Sequence, residues 1–587
     1  MSNYPPKTLV IFPKITYNNN RWHFTPNLLF RDNSIIITLR PARRISDMAV
    51  TTFAAIDVGS HETSLRIYEV SKKFGIRELD YVHHTARLGY ETYSTKHISY
   101  HSIDKLCTIL NGFKEKMKEY GISDYMIAST SALREADNNL IVLDQVRQRT
   151  GFRIKILSNS EQRYLCYKSI TFKENSFHRL IQKGTLLVDV GGGSMQLSLF
   201  DKNNLICTQN ILLGSLRIQE FLQDMQKHTD NYQNLVYEYI SNDLHTFSEL
   251  YLKDHKIKNI IAVGNQLRTF VKYLTVHNFG HLQPTDSKGK KKDSVSRQEY
   301  DEFYEAISSQ HPEDLAKELN TSVDQASLLL PTAMIYHNIF EETGAEQMWL
   351  SGITLCEGMA ADFAERKERI TPAHSFLEDI IHTARSTAAR YDYSRNHCEY
   401  VENAALKIFD AVKRQQNMTK HDRLLLQIAV ILHNCGSFIN LNEVGENSYK
   451  IIMSTELIGI SHKERVIVAT AVRYLRDYFP EYSELQDGFD KEDYVRIAKL
   501  NAILRLADAM DRSHKQKFTA ITTSLRRQTL TITGSTLYDI TLEQGIFRNH
   551  SDFFEEVFGI QPILKQKKTM TPKHADSTKA KNGGNHE

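Results

Sequence analysis

Two short stretches of this chain pair a carboxylate with glycines in a way that suits phosphate and metal chemistry. Ala54-Ala-Ile-Asp57-Val-Gly59-Ser60 recurs as Leu186-Leu-Val-Asp189-Val-Gly191-Gly192-Gly193-Ser194. In each, an apolar run ends in Asp-x-Gly, and small residues and a second strand-like run follow. Glycines let a tight strand–turn–strand hairpin bring backbone N–H groups against phosphate oxygens, with no Cβ in the way. The preceding Asp then stands at the mouth, where its oxygens suit Mg²⁺ or a water. A single Asp-x-Gly is also a common hairpin turn. Two copies in matching strand contexts favour a clamp closing on a phosphate chain from both sides.

The elements that must position these hairpins alternate in type. Phe53–Ser60, Ser64–Ser71, Tyr125–Leu133 and Arg153–Ser160 are short β-rich runs, interrupted by helical stretches such as Ile103–Gly121. A second block follows with Gly184–Asp201, Leu205–Gly214, a long amphipathic helix over Leu222–Leu252, and Asn259–Gly264. Such alternation predicts α/β units around mixed sheets. From Ser375 to His514 the pattern is helical, and a β-rich coda precedes a final helix near Ser551–Gly559.

The expected divisions are 48–175 and 176–365 for two α/β domains, 375–515 for a helical domain and 516–564 for a small α+β unit. Thr285–Ser296 is a basic polar loop ending in Ser296-x-x-Glu299, a capping-box opening for the next helix. Residues 565–587 carry six lysines and read as a solvated, disordered tail. Residues 1–47 lack sustained periodicity and read as a disordered arm or as a mis-called extension ahead of a start at Met48.

Composition narrows the class. The 587 residues are 41% hydrophobic and 24% charged, which excludes collagen-like and wholly disordered chains. A net charge of +3 argues neither for nor against a polyanionic partner. Six scattered cysteines with no CxxC argue against a disulfide framework and suit a cytoplasmic protein. No apolar run approaches the roughly 18 residues of a membrane span, and the start is too proline-rich for a secretory signal.

Ordered motifs over nearly all of 53–565 resemble the exopolyphosphatase / guanosine pentaphosphate phosphohydrolase family. They are Asp57–Ser60, Ala128–Asn138, Leu157–Gln162, Asp189–Ser194, Leu213–Arg217 and Leu350–Gly358. The resemblance implies two actin-like (RNase H-like) domains forming a cleft, then an all-α domain like those of the HD superfamily. It implies Mg²⁺-assisted hydrolysis of a terminal phosphoanhydride, from inorganic polyphosphate or a guanosine polyphosphate, and a homodimer formed through the helical half. No nucleic-acid or membrane partner is expected. Carried over by motif, Asp57 and Asp189 organise metal and water. Ser60, Gly191, Gly192, Gly193, Ser194 and Gly264 cradle phosphate, and Arg134 neutralises terminal phosphate charge as a planar fork.

The chain departs from the family at informative positions. The glutamate credited with activating water falls on Gln162, and a neutral amide is no general base, although it can orient a water. Glu161 is adjacent, but Ser158-x-x-Glu161 is itself a capping box, and neighbouring helical residues point about 100° apart. His61 and Glu62 stand where the family prefers Asn and Ser or Thr, and Gln196 replaces an acidic residue. Glu62 offers a replacement carboxylate, against its ordinary reading as a surface strand-end residue. In the helical half, an active HD site would need His397, a His-Asp pair and Asp508. The pair here is His433-Asn434, which makes the site degenerate and predicts a structural or interface domain without bound metal. Three readings follow: a cleft hydrolase, a binding or sensing protein of the same fold, and an HD-type metal phosphohydrolase.

Overall fold

A computed structural model of the chain describes residues 16–18, 21–23, 29–31, 34–36 and 50–568, except 73, 174–176, 226, 228–231, 266, 278–293, 368–375 and 486–487. The expected tail beyond 568 lies outside the described residues. So does most of 1–47, where two short antiparallel pairs are described, Thr16–Asn18 with Arg21–His23 and Leu29–Arg31 with Ser34–Ile36.

The Asp-x-Gly repeat is the visible part of a larger repetition. The first sheet has strands β1 (Thr51–Val58), β2 (Glu62–Ser71), β3 (Gly75–Thr85), β4 (Asp124–Ser129) and β5 (Lys155–Ile156), in the order β3-β2-β1-β4-β5. The second has β6 (Gly184–Val190), β7 (Met195–Asp201), β8 (Asn204–Ile211), β9 (Ile257–Val263), β10 (Ser294–Ser296) and β11 (Gln347–Leu350), in the order β8-β7-β6-β9-β11-β10. In both, the first three strands form an antiparallel meander, and the first strand also pairs in parallel with the fourth. The second sheet adds one antiparallel edge strand, β10, at the end of the segment read as a basic loop. Ser296 then opens the next helix with the expected capping box to Glu299. Of the helix expected over Leu222–Leu252, the described residues show Ser215–Met225 and Tyr232–Phe247, the latter running on as a π-helical turn over Ser248–Leu252.

β1 and β6 are central and buried along nearly their whole length, so their apolar runs are continuous rather than alternating. Each ends one residue beyond its Asp, and ligands in open α/β sheets bind outside such carboxyl ends, where strand order reverses. Three helices bring residues to the site, α1 (Ser131–Glu135), α2 (Asn159–Lys173) and α3 (Leu355–Arg366), and α4 (Phe376–Arg390) packs against β8. The helical half continues with α5 (Arg395–Val412), α6 (Lys420–Leu432), α7 (Val444–Ser454) and α8 (Lys491–Ala509).

A three-stranded unit, β12 (Ala520–Arg526), β13 (Thr529–Ser535) and β14 (Gln561–Lys567), closes the fold, with α9 (Thr541–Phe558) packed on it. β14 runs through Lys565–Lys567, three residues into the stretch read as tail, because Pro562 and Leu564 turn inward and keep it on the sheet. The outer faces of the two α/β sheets carry separate cores. Their inner faces share one core that runs from Phe53 and Tyr68 through Leu165 and Tyr167 on α2 and Phe363 on α3. It continues to Phe376, Ile408, Leu425 and Phe554 of the C-terminal half.

Candidate active site

The two hairpins close alike. Gly59 N–H donates to the Glu62 carbonyl at 3.0 Å, and Gly191 N–H to the Ser194 carbonyl at 2.9 Å. They also face each other. A Cβ on Gly192 would come within 3.0 Å of the Ser60 Cβ and 2.8 Å of Leu216, so a side chain there would force the hairpins apart. Gly264, at the end of β9, has φ +117°, and a Cβ there would meet Asp189 Oδ1 at 3.0 Å. Glycine is required on both counts. Between the hairpins lies a cavity of about 90 Å³, several times the ~10–15 Å³ that one water needs.

Asp57, Ser60, Gln162, Asp189, Gly191, Gly192, Ser194 and Gly264 all line it, as do His61, Glu62, Ser131 and Cys166. Gln162 Nε2 donates to Asp189 Oδ2 at 3.3 Å, and the Cys166 thiol stands 3.9 Å from the same oxygen. Ser60 Oγ is 2.6 Å from Tyr93 Oη and 3.1 Å from Ser131 Oγ, a small hydroxyl network on the floor of the first hairpin. Burial raises the Asp57 carboxyl, Glu62 and Asp189 add to the rise, and together they push it up to about 7 against the opposing Arg66. Burial also raises Asp189, with Gln162 and Arg163 working the other way. Asp57 Oδ1 is buried with no hydrogen-bond partner. Two buried carboxylates that repel each other, one with a bare oxygen, form the oxygen-only set that a hard divalent cation takes.

Three expected residues lie elsewhere. The Glu161 carboxylate accepts from Ser158 N–H and Oγ, both at 3.0 Å, and pairs with Lys155 at 2.7 Å. It closes the start of α2 and does not line the cavity. Arg134 donates Nη1 to the Leu157 carbonyl at 2.8 Å, just beyond β5, and does not line the cavity. Gly193 is packed on the Tyr93 ring, where a Cβ would lie 2.1 Å from Oη. Gln196, opposite Asp189 on β7, is buried, and neither amide atom has a hydrogen-bond partner.

Two residues gain weight. Glu62 is turned into the cavity rather than out to solvent. Burial raises its carboxyl, while His83, Arg66 and Gln325 oppose the rise. His61 is 5% exposed, burial keeps its ring toward the neutral form, and neither ring nitrogen has a hydrogen-bond partner. Both residues also wall an adjoining chamber of about 150 Å³ that holds Arg268, Lys272 and Tyr81. Their place directly after Asp-x-Gly-Ser was the available sequence signal. Tyr93 and Cys166 gave none.

A sequence model of the Ppx/GppA phosphatase family matches residues 67–367, just over half of the chain, and one of that family's domain III matches 381–553. The chain belongs to the Ppx/GppA phosphatase family. It is similar to the guanosine-5'-triphosphate,3'-diphosphate pyrophosphatase of Photobacterium profundum, 21% identical over 470 residues that cover 79% of this chain and 88% of that one. The protein of the same name from Vibrio atlanticus is 22% identical over 496 residues, 83% and 93% of the two chains. Among solved structures, an exopolyphosphatase from Cytophaga hutchinsonii aligns with TM-score 0.47 and 14% identity, over 54% of this chain and 98% of that one. A Ppx/GppA member from Aquifex aeolicus aligns with TM-score 0.44 and 16% identity, over 56% and 100%.

This Ppx/GppA phosphatase has a second constellation, in its helical half. His397 on α5, His433 after α6 and Asp508 on α8 bring three potential ligand atoms within 4.8 Å of one another. The two imidazole Nε2 atoms are 3.3 Å apart, and Asp508 Oδ1 is 3.4 Å from one and 3.6 Å from the other. His397 Nδ1 meets Asp511 at 2.9 Å, and His433 Nδ1 meets the Val430 carbonyl at 2.6 Å. Asn434 is absent from the cluster and accepts from Arg476 at 3.4 Å. The expectation of a structural, degenerate site rested on that Asn and on Asn447 and Leu475, which stand where similar helical domains have histidines. The remaining donors nevertheless converge. Among the described residues, no helix is long and apolar enough to cross a membrane, and all six cysteines are buried and free.

Proposed function

We propose that this chain uses Mg²⁺ to release the terminal phosphate of inorganic polyphosphate or of guanosine pentaphosphate in the cavity between its two hairpins. The observation that carries the reading is the convergence of both Asp-x-Gly turns on one phosphate-sized cavity with two buried carboxylates. The printed names of the relatives above favour a guanosine polyphosphate as one substrate.

Asp57 and Asp189 would hold the ion, and their buried oxygens fit it. When bound, Mg²⁺ would neutralise negative charge on the oxygens of the attacked terminal phosphate and of the leaving phosphate chain. Gly191, Gly192 and Ser194 border the phosphate on one side, and Ser60 and Ser131 on the other. Gln162, held to Asp189 through its Nε2, has its carbonyl oxygen left to orient the attacking water. With Glu161 tied to Ser158 and Lys155, Glu62 is the carboxylate that takes the water's proton, and burial, which raises its carboxyl, makes it a stronger proton acceptor.

Phosphate release from polyphosphate and from guanosine pentaphosphate, with Mg²⁺ and with a chelator, tests the reading. Turnover that the chelator abolishes and that Glu62→Gln lowers by about 10²–10⁴ is the expected result. Tight binding of either polyanion without turnover would establish the sensing alternative instead. The cluster at His397, His433 and Asp508 favours a second reading, a metal-dependent phosphohydrolase site in the helical half. Its two-nitrogen, one-oxygen set suits a transition ion better than Mg²⁺, and the Asp511 and Val430 contacts are those that usually orient ligating imidazoles.

A further inference from the structure

The helix that brings Gln162 and Cys166 to Asp189 is held on its other faces by distant parts of the chain. Tyr167 Oη donates to Asp379 on α4 at 2.5 Å, and Lys168 Nζ reaches Asp362 on α3 at 2.8 Å. The first turn of α2 is held differently. Asn159 and Arg163, four residues apart and so on one face, both meet Glu456, in the segment just after α7. Asn159 Nδ2 donates to Glu456 Oε1 at 3.3 Å, and Arg163 Nη1 lies 3.4 Å from Glu456 Oε2. The Glu456 carbonyl accepts from Thr208 Oγ1 on β8 at 3.0 Å, and Arg163 Nη2 donates to the neighbouring Gln209 carbonyl at 3.1 Å. One carboxylate from the helical half is thus seated against the back of the helix whose front faces the cavity.

Glu456 is the leading charge partner of Arg163, which also feels Asp189; it acts too on Arg465 and, more weakly than the adjacent Glu135, on Arg134. The Arg163 side chain is 1% exposed, and its Nε and Nη1 have no hydrogen bond. A buried cation that loses its partner is strongly unfavourable, and the chain around it moves to bring it water or another anion. Arg163 is next to Gln162, so a movement of that kind is transmitted to the cavity. A misplacement near 1 Å costs up to about a hundredfold in rate.

We propose that Glu456 is a positioning residue for the catalytic cavity. By holding Arg163 it fixes the first turn of α2, and so the reach of Gln162 to Asp189. The helical half thereby sets the geometry of a site to which it contributes no lining residue among those described. The proposal rests on the reading of the cavity given above.

The test uses the full chain, with Glu456→Gln, Glu456→Asp, Arg163→Gln and the double variant Glu456→Gln/Arg163→Gln. Hydrogen exchange of the α2 amides reports positioning, and phosphate release reports its consequence. Glu456→Gln is expected to speed exchange over 159–166 and to lower kcat by about tenfold or more, with KM within about twofold. Glu456→Asp should keep most of the rate. The double variant should be less impaired than the product of the single effects, because it removes the stranded charge with its partner. Unchanged exchange in Glu456→Gln overturns the proposal. So does faster exchange with kcat intact, which would make the contact merely structural, and so does strict multiplicativity in the double variant. If the wild type releases no phosphate, the cavity reading fails by itself. Exchange and the affinity for inorganic polyphosphate then decide on Glu456: faster exchange with weakened affinity in Glu456→Gln but not in Glu456→Asp supports it, and unchanged exchange or unchanged affinity overturns it.

Discussion

Replacing Gln162 by Glu puts a carboxylate where this chain has an amide 3.3 Å from Asp189 Oδ2. At an effective dielectric constant near 20, two unit negative charges at that distance repel by about 5 kcal/mol. That equals roughly three to four pKa units, so the free variant holds one shared proton at neutral pH. The proton leaves when Mg²⁺ binds, and the introduced carboxylate then stands ionised beside the water. General-base catalysis is worth about 10²–10⁴-fold, and part of it is already supplied by Glu62, so a gain near tenfold in kcat at saturating Mg²⁺ is expected. Because the shared proton must first leave, activity should be lost on acidification at a higher pH than in the wild type. The same substitution should also restore turnover to Glu62→Gln. The assay is phosphate release against pH and Mg²⁺ for the two single variants and the double. A wild type that turns over briskly, with Gln162→Glu unchanged or slower at every Mg²⁺ concentration, refutes the placement of residue 162 beside the water.

Asp189→Ala should abolish phosphate release in both the wild-type and the Gln162→Glu backgrounds, since it removes the ion's anchor whatever the base. Gly192→Ala drives a methyl against Leu216 and Ser60. It should raise KM and cost about 1–3 kcal/mol of stability by denaturation. His433→Ala removes one of three converging donors, and the transition-metal content measured by mass spectrometry should fall from about one ion per chain to near zero. Glu464 is half-buried, which opposes ionisation, but His421 and the Ser461 N–H hold its carboxyl down at about 2. A depressed carboxyl contributes fully above its unfolded value of about 4.3 and loses that contribution as pH falls toward 2. The Tm gap between wild type and Glu464→Gln should therefore close over that interval.

What could be read from the sequence was what is local. The Asp-x-Gly hairpins lie within a dozen residues each, and their apolar runs, glycines and following strands fix both the turn and the place of the Asp. The capping boxes at Ser158 and Ser296 are likewise four-residue facts. The alternation gave α/β units around mixed sheets, while the strand orders, and β10 within the stretch read as a basic loop, did not follow from it. What escaped depends on partners far along the chain. Arg134 shares a motif with Ser131, which reaches the cavity, yet its own Nη1 is claimed by the Leu157 carbonyl. Glu62 looks like any strand-end glutamate until the second sheet covers it. His397, His433 and Asp508 could each be named from the sequence, but whether they still converge with Asn434 in place of an Asp depends on how three helices meet. Nothing in the residues around Glu456 marks it as the partner of Arg163.

The core shared by the inner faces of both sheets has a consequence for the order in which the protein is made. It joins Phe53 to Leu564, so β1, the first strand of the two α/β sheets to be synthesised, cannot finish packing until β14 has followed. When synthesis has passed residue 367, both α/β units can have paired their strands. Leu165, Tyr167 and Phe363 then still lack Phe376, Ile408 and Leu425 to cover them. At about 5–20 residues per second, the remaining two hundred residues take roughly 10–40 s. For that time the nascent chain carries an uncovered apolar face. A chaperone that binds such faces should be found on ribosomes that have passed that point, and it should leave once the helices of the C-terminal half emerge.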